Sequence, residues 1–80
     1  MQDKNIDFPQ YRRLENNKSY YKIMDSRKFI ELQQIGKKWK KYEFTATQYP
    51  EIIRIMEMIE CQVPFFHCEA NDFETLFVNV

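Results

Sequence analysis

Glycine is almost missing from this chain of 80 residues, where Gly36 stands alone. Loops that cradle phosphate need several glycines to bring backbone N–H groups close to the anion, so a nucleotide-binding loop is excluded. Histidine also occurs once, at His67, and cysteine twice, at Cys61 and Cys68. Neighbours on an extended strand point to opposite faces, so His67 and Cys68 could not share an ion, and no second Cys or His pair completes a tetrahedral set. No metal and no cofactor are expected. A Cys–His nucleophile fails on the same ground, because adjacency in sequence is not hydrogen-bond geometry and no third group orients the base. The pair Glu57 and Glu60 falls on a wet helix face beside Arg54, which leaves both carboxylates ordinary. The chain is therefore expected not to be an enzyme. Both cysteines read as small hydrophobes at the edge of a core, and His67 as an exposed or hydrogen-bonded side chain.

Two cysteines are too few for a disulfide framework, and the first ten residues, MQDKNIDFPQ, lack the apolar stretch of a secretion signal. No run approaches the roughly twenty apolar residues of a membrane-spanning helix. A soluble, cytoplasmic protein without membrane contact is the expectation.

What is present is apolar material: 44% of residues are hydrophobic and 16% aromatic, enough for a domain of this length to fold unaided. The length fits one domain, which buries only about 60% of the surface its unfolded chain exposes. It divides into an N-terminal arm (1–9), an antiparallel sheet (10–46), a helix (47–61), and a short strand with a terminal helix (62–80). Charge is unevenly placed. Net charge is zero, yet residues 1–46 hold eleven Lys and Arg against six acids, while residues 47–80 hold Arg54 against six acids. Such a split is either a hint of an anionic partner for the basic half or the mark of two layers whose charges neutralise each other.

Period-2 alternation predicts strands over Gln10–Glu15, Ser19–Met24, Lys28–Ile35 and Trp39–Ala46, joined at Asn16-Asn17, Asp25-Ser26 and Gly36-Lys37-Lys38. For the third turn, a two-residue loop would set Leu32 opposite Lys41 and Ile30 opposite Glu43. A three-residue loop instead pairs Leu32 with Tyr42 and Ile30 with Phe44 on a core face, at the cost of a Glu31–Glu43 pair on the other. The three-residue loop is the expectation. The first hairpin admits both a two-residue Asn16-Asn17 turn and a four-residue loop from Asn16 to Ser19, with Leu14, Tyr21 and Ile23 inward in either case.

At Thr47 the period changes to 3.6. Thr47 can cap a helix from about Gln48 to Glu60, Pro50 is tolerated in its first turn, and Glu51 favours the positive end of its dipole. Tyr49, Ile52, Ile53, Met56 and Ile59 form the expected apolar stripe, with Glu51, Arg54, Glu57 and Glu60 in water. After Pro64, Phe65-Phe66-His67-Cys68 reads as a short strand. Asn71 is a candidate cap for a last helical turn or two that packs Phe73, Leu76 and Phe77 inward, in preference to a strand over Thr75–Val80. The fold class is α+β: a two-layer, four-stranded antiparallel meander packed on one helix, followed by a short strand and a short C-terminal helix.

If one sheet face holds Leu14, Tyr21, Ile23, Ile30, Leu32, Tyr42 and Phe44, alternation sends Tyr11, Arg13, Tyr20, Lys22, Phe29, Trp39 and Lys41 to the other. Lys37 and Lys38 add positive charge at its rim. The candidate binding residues are therefore Tyr11, Arg13, Tyr20, Lys22, Lys37, Lys38, Trp39 and Lys41. An open face of aromatic and basic side chains suits a protein partner or a homodimer, for which Tyr, Trp and Arg serve as anchors. It also suits single-stranded nucleic acid, which stacks on rings and tracks cations. The plainest alternative is that the N-terminal arm or the C-terminal segment covers it. A non-enzymatic module for protein contact or self-association is the leading expectation, with single-stranded nucleic-acid binding as the alternative.

The phrases FPQYRRLENNKSYYKI, FIELQQIGKKWKKYEFTA and YPEIIRIMEMIE, in that order, resemble small uncharacterised proteins of Bacteroidota-type bacteria across roughly residues 8–60. The resemblance implies an α+β domain in a bacterial cytoplasm and carries no catalytic or binding residues to transfer.

Overall fold

Five strands and two helices follow one another in a computed structural model that describes residues 7–78 and 80; residues 1–6 of the N-terminal arm lie outside it. The elements are β1 (Gln10–Leu14), β2 (Ser19–Asp25), β3 (Lys28–Ile35), β4 (Lys38–Thr45), α1 (Tyr49–Ile59), β5 (Phe65–His67) and α2 (Ala70–Phe77). The fold is α+β, and the meander of four antiparallel strands gains β5 as a fifth beside β1, in the order β4-β3-β2-β1-β5.

In the first hairpin Arg13 stands opposite Tyr20, the register set by a tip at Asn16-Asn17. Asn17 takes the left-handed conformation that asparagine tolerates, with φ 61°, and Asn16 Oδ1 accepts from the Lys18 N–H at 2.8 Å.

The third hairpin corrects the expected register. Ile35 pairs with Lys38, so the loop is the two residues Gly36-Lys37, and Leu32 does stand opposite Lys41 and Ile30 opposite Glu43. Gly36 alone in this turn has positive φ, at 64°, as a two-residue hairpin with glycine first requires. Among the described residues nothing lies within 4 Å of where a Cβ would sit, so the demand is on the backbone only. Gly36→Ala is expected to cost about 1–2 kcal/mol in urea denaturation without a change in the slope of the transition.

That register was unattractive under the assumption of one core face, and the structure removes the assumption. Tyr21, Ile23, Phe29 and Phe65 form a core with Ala46, Ile55 and Met58 on the face that α1 covers. The rings of Phe29 and Phe65 both meet Tyr21 edge-on, with centroids 5.9 and 5.5 Å away. Leu32 is equally buried but points to the opposite face, with its partner Tyr20, on the side where α2 packs against β1, β2 and β3. The terminal helix thus adds a cover on the second face. The expected Ile30 and Leu32 contribution to the α1 core is replaced by Phe29, and Tyr42 and Phe44 lie at the margin of that core, Phe44 being 44% exposed. The Glu31–Glu43 pair is not formed: Glu31 faces Tyr21, whose hydroxyl donates to it at 3.3 Å, and Glu43 is paired with Lys41 at 3.5 Å.

Helix α1 begins one residue later than Thr47 would have set it. Gln48 is the N-cap, and the carboxylate of Glu51 reaches back to accept from the backbone N–H groups of Thr47 (2.8 Å) and Gln48 (3.1 Å). These two bonds hold Glu51 below its ordinary carboxylate pKa. The inward stripe is rotated from the expected one: Ile55 and Met58 are buried, with Ile52 and Ile59 packed beside them, while Tyr49 and Met56 are exposed. Arg12, a buried residue of β1, meets the end of the helix in this orientation. Its Nε donates to the Met58 carbonyl and one Nη to the Ile59 carbonyl, both at 2.8 Å, which ties the last turn of the helix to the sheet. Apolar residues run nearly all round the segment from Ile52 to Ile59, so periodicity alone did not fix which of them faced inward. The helix then ends in a Schellman motif, with Cys61 at φ 56° and the Gln62 N–H bonded to the Glu57 carbonyl at 2.9 Å.

Helix α2 is capped at Glu69 rather than Asn71, and the Asp72 carboxylate accepts from the Glu69 N–H at 3.2 Å. It is helical through Phe77; Phe73 is fully buried, and Leu76 and Phe77 are half-buried.

Candidate binding surface

Six of the eight expected binding residues share one face. The pairs Tyr11–Lys22, Arg13–Tyr20 and Leu32–Lys41 place Tyr11, Arg13, Tyr20, Lys22 and Lys41 on the α2 side, and Trp39 follows by alternation. Phe29, which alternation was expected to send to the same face, points to the α1 core. Lys38, paired with Ile35, lies on the α1 face, and Lys37 is in the turn.

This face is not open throughout. The C-terminal segment covers part of it through Glu74, whose Oε2 accepts from the Tyr11 hydroxyl at 2.8 Å and from Lys22 Nζ at 2.9 Å. The Tyr11 ring lies 5.8 Å from that of Phe73, and Lys22 Nζ sits 5.9 Å from the centre of the Tyr11 ring. Arg13 lies over the Phe66 ring at 5.1 Å and donates to Asn17 Oδ1. Tyr11, Arg13 and Lys22 are therefore engaged within the fold.

The Lys22 ammonium first, and the Tyr11 hydroxyl second, hold Glu74 below its ordinary carboxylate value, while Glu74 raises Lys22 in return. Burial first and the bond to Glu74 second raise Tyr11. A lowered carboxylate contributes stability that is fully present above its unfolded pKa and is lost as pH falls through the folded value; a raised lysine contributes stability that is lost as pH rises through its folded value. Stability should accordingly decline on acidification through the carboxylate range. Urea midpoints measured downward from neutral pH should show a shallower decline for Glu74→Gln than for wild type, the remainder including Glu51.

At the other end of the sheet the cover is thinner: α2 reaches it through Phe77, whose ring centre lies 5.6 Å from Lys41 Nζ. Tyr20 and Trp39 pair edge-on at 5.8 Å, and Trp39 is half-buried. On the α1 face, Ile35 and Phe44 are exposed, with Lys38 and Lys40 in water and the Phe44 ring 4.9 Å from Phe29. A cleft of about 300 Å³ opens beside them between Phe29, Phe44, Ala46, Ile55 and Arg54. β4 is the last strand of the sheet, with no neighbour on its outer side among the described residues. Ile35 and Lys38 flank a two-residue turn and so form the pair that exchanges both hydrogen bonds; alternation then turns the backbone N–H and C=O groups of Trp39, Lys41, Glu43 and Thr45 outward. Tyr42, Phe44, Lys40 and Ile35 belong to this open end and were absent from the expected set. Taking Gly36-Lys37 as the turn was the signal that would have placed them.

Other chemistry is poorly supported by the geometry. Burial pushes the Cys68 thiol up to about 11, so it stays protonated near neutrality. Its neighbour His67 is exposed opposite Arg12, on the α1 face. Among the described residues no group of three His, Cys, Asp or Glu side chains could hold a metal ion, and no helix is long and apolar enough to cross a membrane. The chain matches no known family, no curated protein and no solved structure.

Proposed function

We propose that this chain is a non-enzymatic module for protein contact by self-association, and that the contact is made by the β4 end of the sheet rather than by the whole aromatic and basic face. The observation that carries this reading is the outer edge of β4, an eight-residue strand with no neighbour on that side among the described residues. Such an edge offers a row of backbone donors and acceptors to another strand, while side chains on either face decide which strand is accepted. Trp39 and Lys41 flank it on one face, and Tyr42 and Phe44 on the other. Tyr11 and Lys22, which a nucleic-acid platform would need, are held by Glu74. Glu31, Glu43 and Glu51 lie around the open end and disfavour a phosphate backbone there.

Sedimentation equilibrium of the pure protein over rising concentration tests the reading. The average mass should climb from monomer toward dimer and depend only weakly on salt. A strictly monomeric protein at high micromolar concentration would overturn it, and oligonucleotide binding that weakens steeply with salt would put single-stranded nucleic acid in its place.

A further inference from the structure

We propose that the occupant of the β4 edge is a second copy of this chain, paired antiparallel about a two-fold axis that passes through Tyr42, so that two five-stranded sheets continue as one. The inference rests on the self-association reading above and adds the register and the residues that select it.

A two-fold axis normal to the sheet keeps each face continuous, so a residue of β4 can stand only opposite a residue of the same face of the second copy. That restricts the choice to registers centred on a single residue. Centring on Lys40 or Lys41 sets like ammonium groups opposite each other, and centring on Glu43 sets carboxylate against carboxylate, both unfavourable directly across a ladder. Centring on Trp39 puts Lys38 opposite Lys40 and Lys37 opposite Lys41. A centre at Phe44 leaves most of the strand beyond the partner's end. Tyr42 is the centre that uses the strand from Trp39 to Thr45 and opposes no like charges.

In this register Lys41 stands opposite Glu43 of the second copy, and Glu43 opposite its Lys41. Within one chain the two side chains already approach to 3.5 Å on the same face. Pairing therefore closes a ring of four charges that alternate in sign. Trp39 falls opposite Thr45, and Lys40 opposite Phe44, with the lysine stem lying along the ring. The hydrogen-bonding parity agrees. Trp39, Lys41, Glu43 and Thr45 are the residues whose backbone groups point outward, and they pair only with one another, leaving Tyr42 facing Tyr42 as a non-hydrogen-bonded pair at a Cα separation of about 4.5 Å. The charges of β4 then act as selectors: Lys40, Lys41 and Glu43 each block the register centred on themselves and permit this one.

Site-directed crosslinking reads the register directly. In a Cys61→Ser background, which removes the exposed native thiol, Tyr42→Cys should oxidise readily to a covalent dimer, because its Cα separation lies within disulfide reach. Lys41→Cys and Glu43→Cys should each crosslink roughly tenfold more slowly, since the two-residue offset along the strand, added to the spacing between strands, sets like Cα atoms beyond the roughly 7 Å that a disulfide spans. Independently, Glu43→Lys and Lys41→Glu should each weaken the dimer roughly tenfold in sedimentation, and the double exchange should restore it to within a few-fold of wild type. Faster crosslinking through Lys41→Cys or Glu43→Cys, or a double exchange no tighter than either single variant, overturns the register while dimerisation itself persists. A monomeric wild type overturns the self-association reading and the register with it.

Discussion

Replacing Arg12 with methionine is expected to destabilise the fold by about 3 kcal/mol, although no carboxylate pairs with it among the described residues. The guanidinium is buried, and its donors go to carbonyl and amide oxygens: Met58 and Ile59 at the end of α1, Tyr11 at 2.6 Å and Gln10 Oε1 at 3.1 Å. A cation at a helix C-terminus faces the negative end of the dipole, and a forked donor can satisfy two terminal carbonyls together. Methionine keeps the packing of the stem but leaves those carbonyls without a donor beside the fully buried Met58. Arg12→Lys keeps the charge without the fork and should lose about half as much. Urea unfolding of both variants checks the order. A neutral Arg12→Met, or equal losses for the two, would show that the tie between β1 and α1 contributes little.

Phe73→Ala is expected to cost about 3–5 kcal/mol, against a total stability of roughly 4–12 kcal/mol for a domain of this length. Phe73 is fully buried, with the Tyr11 ring at 5.8 Å and the Phe77 ring stacked at 5.6 Å. Removing it undoes the cover that α2 gives to the sheet and loosens the seat of Glu74 on Tyr11 and Lys22. Phe73→Leu, which keeps an apolar side chain, should cost no more than about 1.5 kcal/mol. A loss below about 1 kcal/mol for Phe73→Ala would mean that α2 rests on the sheet without sharing its core.

These two residues also mark where the sequence was readable. The meander, the helix after Thr47 and the short strand after Pro64 are legible because strand periodicity, turn residues and a change to helical spacing are local signals. The separation of Phe29 from Ile30 and Leu32 is not. In KFIELQQI apolar residues fall on both faces, and only the presence of a helix on each side of the sheet makes such a pattern stable. Assuming one core face favoured a three-residue loop, which displaced the pairing of the third hairpin and hid the open end formed by Tyr42 and Phe44.

The candidate surface was legible in composition and misplaced in extent. Tyr11, Arg13, Tyr20, Lys22, Trp39 and Lys41 do lie on one face, as alternation requires. What alternation cannot supply is the occupant of that face, because Glu74 approaches Lys22 from 52 positions along the chain. Arg12 left no trace for a similar reason: its partners are backbone oxygens of a distant helix, and backbone oxygens have no residue signature. The charge split at Thr47 coincides with the passage from sheet to helices, and Glu74 with Lys22 is one place where the two halves neutralise each other.

Hydrogen exchange along β4 tests the central claim most directly, since the same strand contains its own control. At low protein concentration the amides of Lys40, Tyr42 and Phe44, turned toward β3, should exchange slowly, while those of Trp39, Lys41, Glu43 and Thr45 exchange fast. As concentration rises through the dimerisation range, the second set should slow and approach the first. Fast exchange at Trp39, Lys41, Glu43 and Thr45 at every concentration would contradict the assignment of this edge as the contact surface.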